Sequence, residues 1–197
     1  MPKLWNDTIE QHRRSVRDAI LDAAAVITRQ QGVAAVTMSA IASKTRIGRA
    51  TLYKYFPDLN AILLAWHERQ VGRHMHELTA IFHDGDEDPL ARLDRAFEAY
   101  ATMARGQDGT DVSALLHAGP HVAKARRHLR DLFRTLIEEA AEAGQVRGDM
   151  GADELALYCL GAVGAASGLK SKAAVRRLID VTISGIKATP KKRFRGR

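Results

Sequence analysis

Between Thr37 and Phe56 the chain reads TMSAIASKTRIGRATLYKYF, and Arg46, Arg49 and Lys54 alternate there with Thr37, Ala50, Thr51, Tyr53 and Tyr55. Cations bind phosphate oxygens, and an arginine fork also matches the edge of a guanine. Hydroxyls and one small side chain among them let a helix approach base pairs closely. The chemistry on offer is therefore recognition of a nucleic-acid duplex. Catalysis finds no comparable grouping. Glu138-Glu139 and Asp153-Glu154 are adjacent carboxylates that point to different sides of their helices, with no nucleophile, base and orienting group spaced together. His67, His74, His76 and His83 lie on or near one predicted helix without the i, i+4 pair of a helical zinc site. Gly161-Ala-Val-Gly164 sits inside a helical pattern with no strand before it, so it is not a dinucleotide fingerprint. No cofactor, no metal and no enzymatic activity are expected.

Two short helices must position these side chains. Thr37 is a good N-cap for the first, and Met38, Ile41 and Ala42 form its apolar face. Lys44-Thr45-Arg46 interrupts that pattern after barely two turns. Gly48 can open the second helix, which buries Leu52 and Phe56 and leaves Arg49, Ala50, Thr51, Tyr53, Lys54 and Tyr55 outward. Such an element fits a major groove.

The run T-M-S-x-I-A followed by R-A-T-L-Y-K-Y-F closely resembles the helix-turn-helix of TetR-like bacterial transcriptional regulators. The resemblance covers about forty-five residues, from helix 1 through the start of helix 4; beyond them the chain is similar only in helix order and length. It implies a homodimeric repressor on a palindromic operator, released when a ligand in the C-terminal bundle tilts helix 4 and moves the reading heads apart. Arg46 and Arg49 then face base edges or nearby phosphates, with Thr51 and Tyr55 close to bases. Thr37, Tyr53 and Lys54 hold phosphates and set register. Two positions depart from the family pattern. Arg46 stands where a glycine is usual, in a turn that wants positive φ, at a cost of roughly 1 kcal/mol to a non-glycine residue. Leu59 stands where a lysine is usual, which leaves Arg46 or Lys54 to replace one phosphate contact.

The remaining chain is long enough to support that head. With 197 residues and 46% hydrophobic content it can bury a sizeable core, and its alanine, leucine, arginine and glutamate favour an all-α fold of about nine helices. The single cysteine, Cys159, rules out a disulfide framework and fits a reducing compartment. The first residues lack a signal-peptide core, and the longest apolar run, Leu155 to Leu169, is short for a membrane span, so a cytoplasmic location is expected. Net charge is +7, gathered at the two ends: residues 1–56 hold nine basic and four acidic side chains, residues 57–188 sixteen and nineteen, and the last nine residues five and none. A basic head on a mildly acidic body is the footprint of a DNA-binding module.

Three segments follow: a DNA-binding domain with an N-terminal arm over 1–57, a ligand-binding and dimerisation domain over 58–187, and a basic disordered tail over 188–197. Residues 1–12 read as a mobile arm, and helix 1 as Arg13 to Gln31 with Val16, Ile20, Ala23, Ala24 and Ile27 inward. Helix 4 is capped by Asp58 or Asn60 and reaches His83; the next two are Leu90–Arg105 and a short Asp111–His117. Helix 7, His121–Ala143, buries Leu129, Leu132, Phe133, Leu136 and Ile137, with Arg126, Arg127, Arg130 and Arg134 outward. On Asp153–Gly168, the small residues Gly161, Gly164, Ala165 and Gly168 share one stripe, which invites close approach of another helix. Lys172–Lys187 offers Val175, Leu178, Ile179, Thr182 and Ile186. Two copies of this pair would make a four-helix dimer interface; packing of the pair within one chain remains the alternative. Trp66, Phe97, Tyr100, Met103, Leu116, Phe133 and Tyr158 can line an effector cavity, with Tyr100, Tyr158 and His117 as hydrogen-bonding groups, and plain core packing is again the alternative. A small apolar effector, duplex DNA and a second copy are thus the expected partners. A non-specific or architectural DNA binder, and a helical small-molecule binder without regulatory coupling, stay open.

Overall fold

The computed structural model describes residues 2–83, 88–105 and 120–188, with side chains from residue 8 onward. The predicted short helix at Asp111–His117, with Leu116 and His117, and the tail from residue 189 lie outside the described residues. Among those described the chain is all-α: α1 (Pro2–Gln31), a 3-10 turn (Val33–Ala35), α2 (Met38–Thr45), α3 (Arg49–Tyr55), α4 (Leu59–Phe82), α5 (Pro89–Arg105), α6 (Pro120–Glu142), α7 (Ala152–Gly164), a second 3-10 turn (Ala165–Gly168) and α8 (Lys172–Ile186). The chain divides into two compact units inside α4, one ending at Val71 and the other beginning at Gly72.

In the first unit, α1 buries Ile20, Ala23, Ala24 and Ile27, the stripe its sequence lays out, with Val16 half-buried at the edge. Its beginning differs from expectation. Residues 2–12 are helical rather than an arm, so α1 starts at Pro2. Proline is tolerated at the first helical position, and no glycine or second proline follows until Gly32 to interrupt propagation. Gly32, at φ 84°, ends the helix in a conformation that side chains other than glycine rarely adopt. Ile41 of α2, Leu52 of α3, and Ile62 and Leu63 of α4 complete this core.

The second unit packs α5 to α8 and the end of α4 around Phe97 and Phe133, whose rings stack at 5.3 Å, and Phe82, which meets Phe133 edge-on at 5.1 Å. As the sequence implies, α6 turns Leu129, Phe133, Leu136 and Ile137 into this core. Arg92 is buried among them: it donates to the Phe82 carbonyl at 3.0 Å and pairs with Glu139, tying the end of α4 to α5 and α6. Arg176 on α8 binds Asp94 and Glu98 of α5 and Asp180 one turn along its own helix. The end of α8 is fixed to the α6–α7 turn by backbone hydrogen bonds from Arg147 to Ile186 and from Ala188 to Gln145.

The helix expected over Asp153–Gly168 is α-helical only to Gly164 and tightens to a 3-10 turn after it. Three glycines within eight residues weaken the last turns enough for that change. The dimer set is corrected as well. Val175, Ile179, Thr182 and Ile186 are buried in the chain's own core, and Leu178 is half-buried against it, because this stripe of α8 covers α5 and α7 of the same chain. Gly164 also turns inward, where an added Cβ would lie 3.5 Å from the Tyr100 hydroxyl. Only Gly161, Ala165 and Gly168 of that set remain on the surface. The outward apolar residues of the pair are instead Leu157, 51% exposed, Tyr158, 47% exposed, and Val181, 66% exposed.

Candidate nucleic-acid interface

The reading element is built on caps and one buried stripe. Thr37 accepts a hydrogen bond from the Ala40 amide at 3.0 Å, so the N-cap of α2 forms as its sequence dictates. At the other end, the Thr45 hydroxyl donates to the Ile41 carbonyl at 2.8 Å, one turn back along the helix, and so is held against its own backbone. Arg46 then takes φ 56° and ψ 23°, the left-handed conformation expected for this turn, and is the one non-glycine residue with positive φ among the described residues. Gly48 caps α3 in extended geometry, and the Leu52 amide donates to its carbonyl at 3.0 Å. Leu52 is fully buried, and Phe56 follows it into the core. Asp58 accepts from the Ala61 amide at 2.8 Å and so caps α4.

This anchoring leaves Arg49, Ala50, Thr51, Tyr53 and Lys54 exposed on α3, with Thr37 and Arg46 exposed at the preceding cap and turn. Tyr55 differs from expectation. It is half-buried, because it follows Lys54 round the helix toward the side that Leu52 and Phe56 occupy. Among the described residues Lys44, Arg46, Arg49 and Lys54 have no carboxylate partner, whereas Arg69 on α4 is held by Asp18 at 3.7 Å and Asp22 at 2.7 Å. Asp18 and Asp22 of α1 are thus engaged by α4, and the cations of α2, α3 and their turn have no such partner among the described residues. Arg17 was not singled out in the sequence; its guanidinium lies 5.2 Å from the centre of the Phe56 ring, a cation–π contact that fastens α1 to the end of α3.

The strain at Arg46 gives a two-sided prediction. Arg46→Gly removes a left-handed non-glycine residue and should stabilise the chain by about 1 kcal/mol, a Tm rise of about 2–4 °C. The same change removes a cation and should lower the salt dependence of duplex binding by about one unit. Calorimetry and a salt titration measure the two effects on one sample.

The candidate effector residues separate. Phe97, Tyr100, Met103 and Phe133 share the core of the second unit, Phe97 and Phe133 fully buried and the other two half-buried. The Tyr100 hydroxyl, close to Gly164, has no protein hydrogen-bond partner among the described residues, and burial raises its pKa. Trp66 belongs to the first unit; its indole nitrogen is buried without a hydrogen-bond partner among the described residues. Tyr158 is a correction. It lies on the outer face of α7 with its hydroxyl over Gly185, where an added Cβ would stand 3.1 Å away, and so it is not grouped with Tyr100. Cys159 is buried and its thiol is pushed up to about 12, which keeps it protonated and unreactive. Among the described residues no group of three histidine, cysteine or acidic side chains could hold a metal ion, and no helix is long and apolar enough to cross a membrane.

Comparison with known proteins agrees with this architecture. Residues 20–66 match the family described as bacterial regulatory proteins, tetR family, and residues 89–188 match the transcriptional regulator SbtR-like C-terminal domain. No curated protein matches the chain. Among solved structures, a TetR/AcrR-family transcriptional regulator from Thermobifida fusca is 19% identical with a TM-score of 0.75, covering 87% of this chain and 98% of its own. A TetR transcriptional regulator from Streptomyces coelicolor is 24% identical with a TM-score of 0.63, covering 88% and 99%. AibR, solved in complex with isovaleryl coenzyme A and operator DNA, is 17% identical with a TM-score of 0.60, covering 86% and 97%. The fold and the exposed α3 define a helix-turn-helix transcriptional regulator. The chain belongs to the TetR family of bacterial regulatory proteins.

Proposed function

We propose that the protein is a homodimeric repressor that reads a palindromic operator through α3 and leaves it when a small, mostly apolar molecule binds its C-terminal domain. The observation that carries this reading is the face of α3: two cations without a carboxylate partner among the described residues, two hydroxyls and an alanine, all exposed on a helix held by a buried Leu52. Arg49 serves as a base reader and Lys54 as a phosphate anchor, with Thr37, Arg46, Ala50, Thr51 and Tyr53 around them and the half-buried Tyr55 at the edge. Leu157, Tyr158 and Val181, with Gly161, Ala165 and Gly168 beside them, support pairing of two copies through α7 and α8. A head this small gains an extended site when two copies are joined.

Support for effector control comes from α4, one continuous helix with Trp66 in the first unit and Leu78 and Phe82 in the core of the second. The Tyr100 hydroxyl, half-buried in the second unit and without a protein hydrogen-bond partner among the described residues, favours an effector that carries an oxygen acceptor on an apolar body. AibR was solved with isovaleryl coenzyme A, so molecules carrying a short branched acyl group are the first to titrate. The effector must bind the DNA-free conformation better, with a coupling of about 1–3 kcal/mol that operator DNA returns equally on effector affinity.

The reading head is tested by two substitutions with different signatures. Arg49→Ala should relax preference at one base pair, costing about 1–3 kcal/mol there. Lys54→Ala should weaken all duplexes alike and reduce the salt slope by about one unit. Anisotropy titrations against an operator and its single-base variants distinguish them. A change of sequence preference with Lys54→Ala and none with Arg49→Ala would reverse the assigned orientation of α3.

A further inference from the structure

The described side chains at the start of α1 stay outside the core of the head. Every side chain from Thr8 to Ser15 is exposed, Val16 is the first half-buried one and Ile20 the first buried one. The match to the family's DNA-binding domain also begins at residue 20. About four turns of helix therefore precede the part of α1 that supports α2 and α3. A lone helix of that length is marginal in water, so a partner surface would stabilise it.

Its position and charge say which surface. Arg17 fixes this end of α1 against Phe56, the residue that closes α3. Arg13 lies one turn further out on the same face as Arg17, and Arg14 lies three residues before it. Both are exposed, and among the described residues neither has a carboxylate partner; Asp18 and Asp22 are taken up by Arg69. When α3 sits in a major groove, cations just past its end face the phosphates that border the groove.

We propose that the leading turns of α1 are a second DNA contact, with Arg13 and Arg14 each neutralising a phosphate beside the groove that α3 reads. The contact adds affinity and steering without sequence preference, and Arg17 holds the helix at the required place through Phe56. The proposal rests on the DNA-binding reading above. It makes the footprint on DNA wider than α3 and its flanking caps would cover.

Binding of the full-length chain and of R13Q/R14Q is compared by anisotropy on the operator and on a scrambled duplex of equal length, across a series of salt concentrations. Each phosphate lost removes about 0.9 from the slope of log K against log salt, so the double variant should lose about two units on both duplexes. The ratio of the two affinities should stay as in wild type, and an exonuclease footprint should shorten at its outer edges. Both side chains are exposed, so Tm and helix content should not change; they are measured on the same samples. An unchanged slope, or a loss confined to the operator, overturns the proposal while the regulator reading stands. Wild-type protein that binds neither duplex overturns both.

Discussion

A Leu157→Glu, Val181→Glu variant is expected to sediment as a monomer and to bind an operator duplex at least about 100-fold more weakly than wild type. Both side chains project from the outer face of α7 and α8, 51% and 66% exposed, and neither belongs to the core around Phe97 and Phe133. The monomer should therefore fold with a Tm close to that of wild type. In a symmetric pair each glutamate would face an apolar surface or its own copy, so two to four carboxylates would be desolvated without partners. Joining two weak half-site binders raises affinity by about 10²–10⁴ through effective concentration alone, and that factor is lost with the interface. A dimer that survives both substitutions in sedimentation would remove this face from the interface.

The second large effect is on the effector domain. Phe133→Ala should destabilise the second unit by about 3–5 kcal/mol, since it removes a fully buried ring from a packed core. Phe133 stacks on Phe97 and meets Phe82 and Tyr100 edge-on, so three aromatic contacts vanish with it. At about 2–4 °C per kcal/mol, Tm should fall by roughly 6–20 °C in a calorimetric scan. Leu52 and Phe56 belong to the first unit, so an isolated loss in the second should leave the head folded at temperatures below the new transition. A small change in Tm would mean that the Phe133 ring lines open space rather than filling a core.

The helix-turn-helix was legible because its signals are local. A capping threonine, a break at Lys44-Thr45-Arg46 and an apolar pair four residues apart act within one or two turns, and Arg46 adopts the positive φ that the turn demands. What lay beyond reach was the side toward which each apolar stripe turns. Val175, Ile179, Thr182 and Ile186 form a clean helical stripe, but periodicity shows only that the stripe is buried. Whether its own chain or a second copy covers it depends on α5 and α7, far away in sequence. Val181 carries the opposite lesson. It stands off that stripe between Asp180 and Thr182, and an isolated β-branched residue on a polar face was the available signal for the outer surface. Tyr158 and Tyr100 are both aromatic residues on bundle helices; only the packing of α8, with Gly185 beneath Tyr158, separates an outer ring from an inner one. At the start of α1, the polar composition of residues 1–12 reads as an arm, but polarity alone does not stop a helix that lacks breakers.

Selection of duplexes from a random pool by the full-length protein tests the central claim most directly. The account predicts enrichment of an inverted repeat, with each half contacted by one copy of α3, and loss of preference at one position in each half when Arg49 becomes alanine. A pool that stays random, or that yields a single asymmetric site bound equally well by the Arg49→Ala protein, would contradict a symmetric operator read by α3.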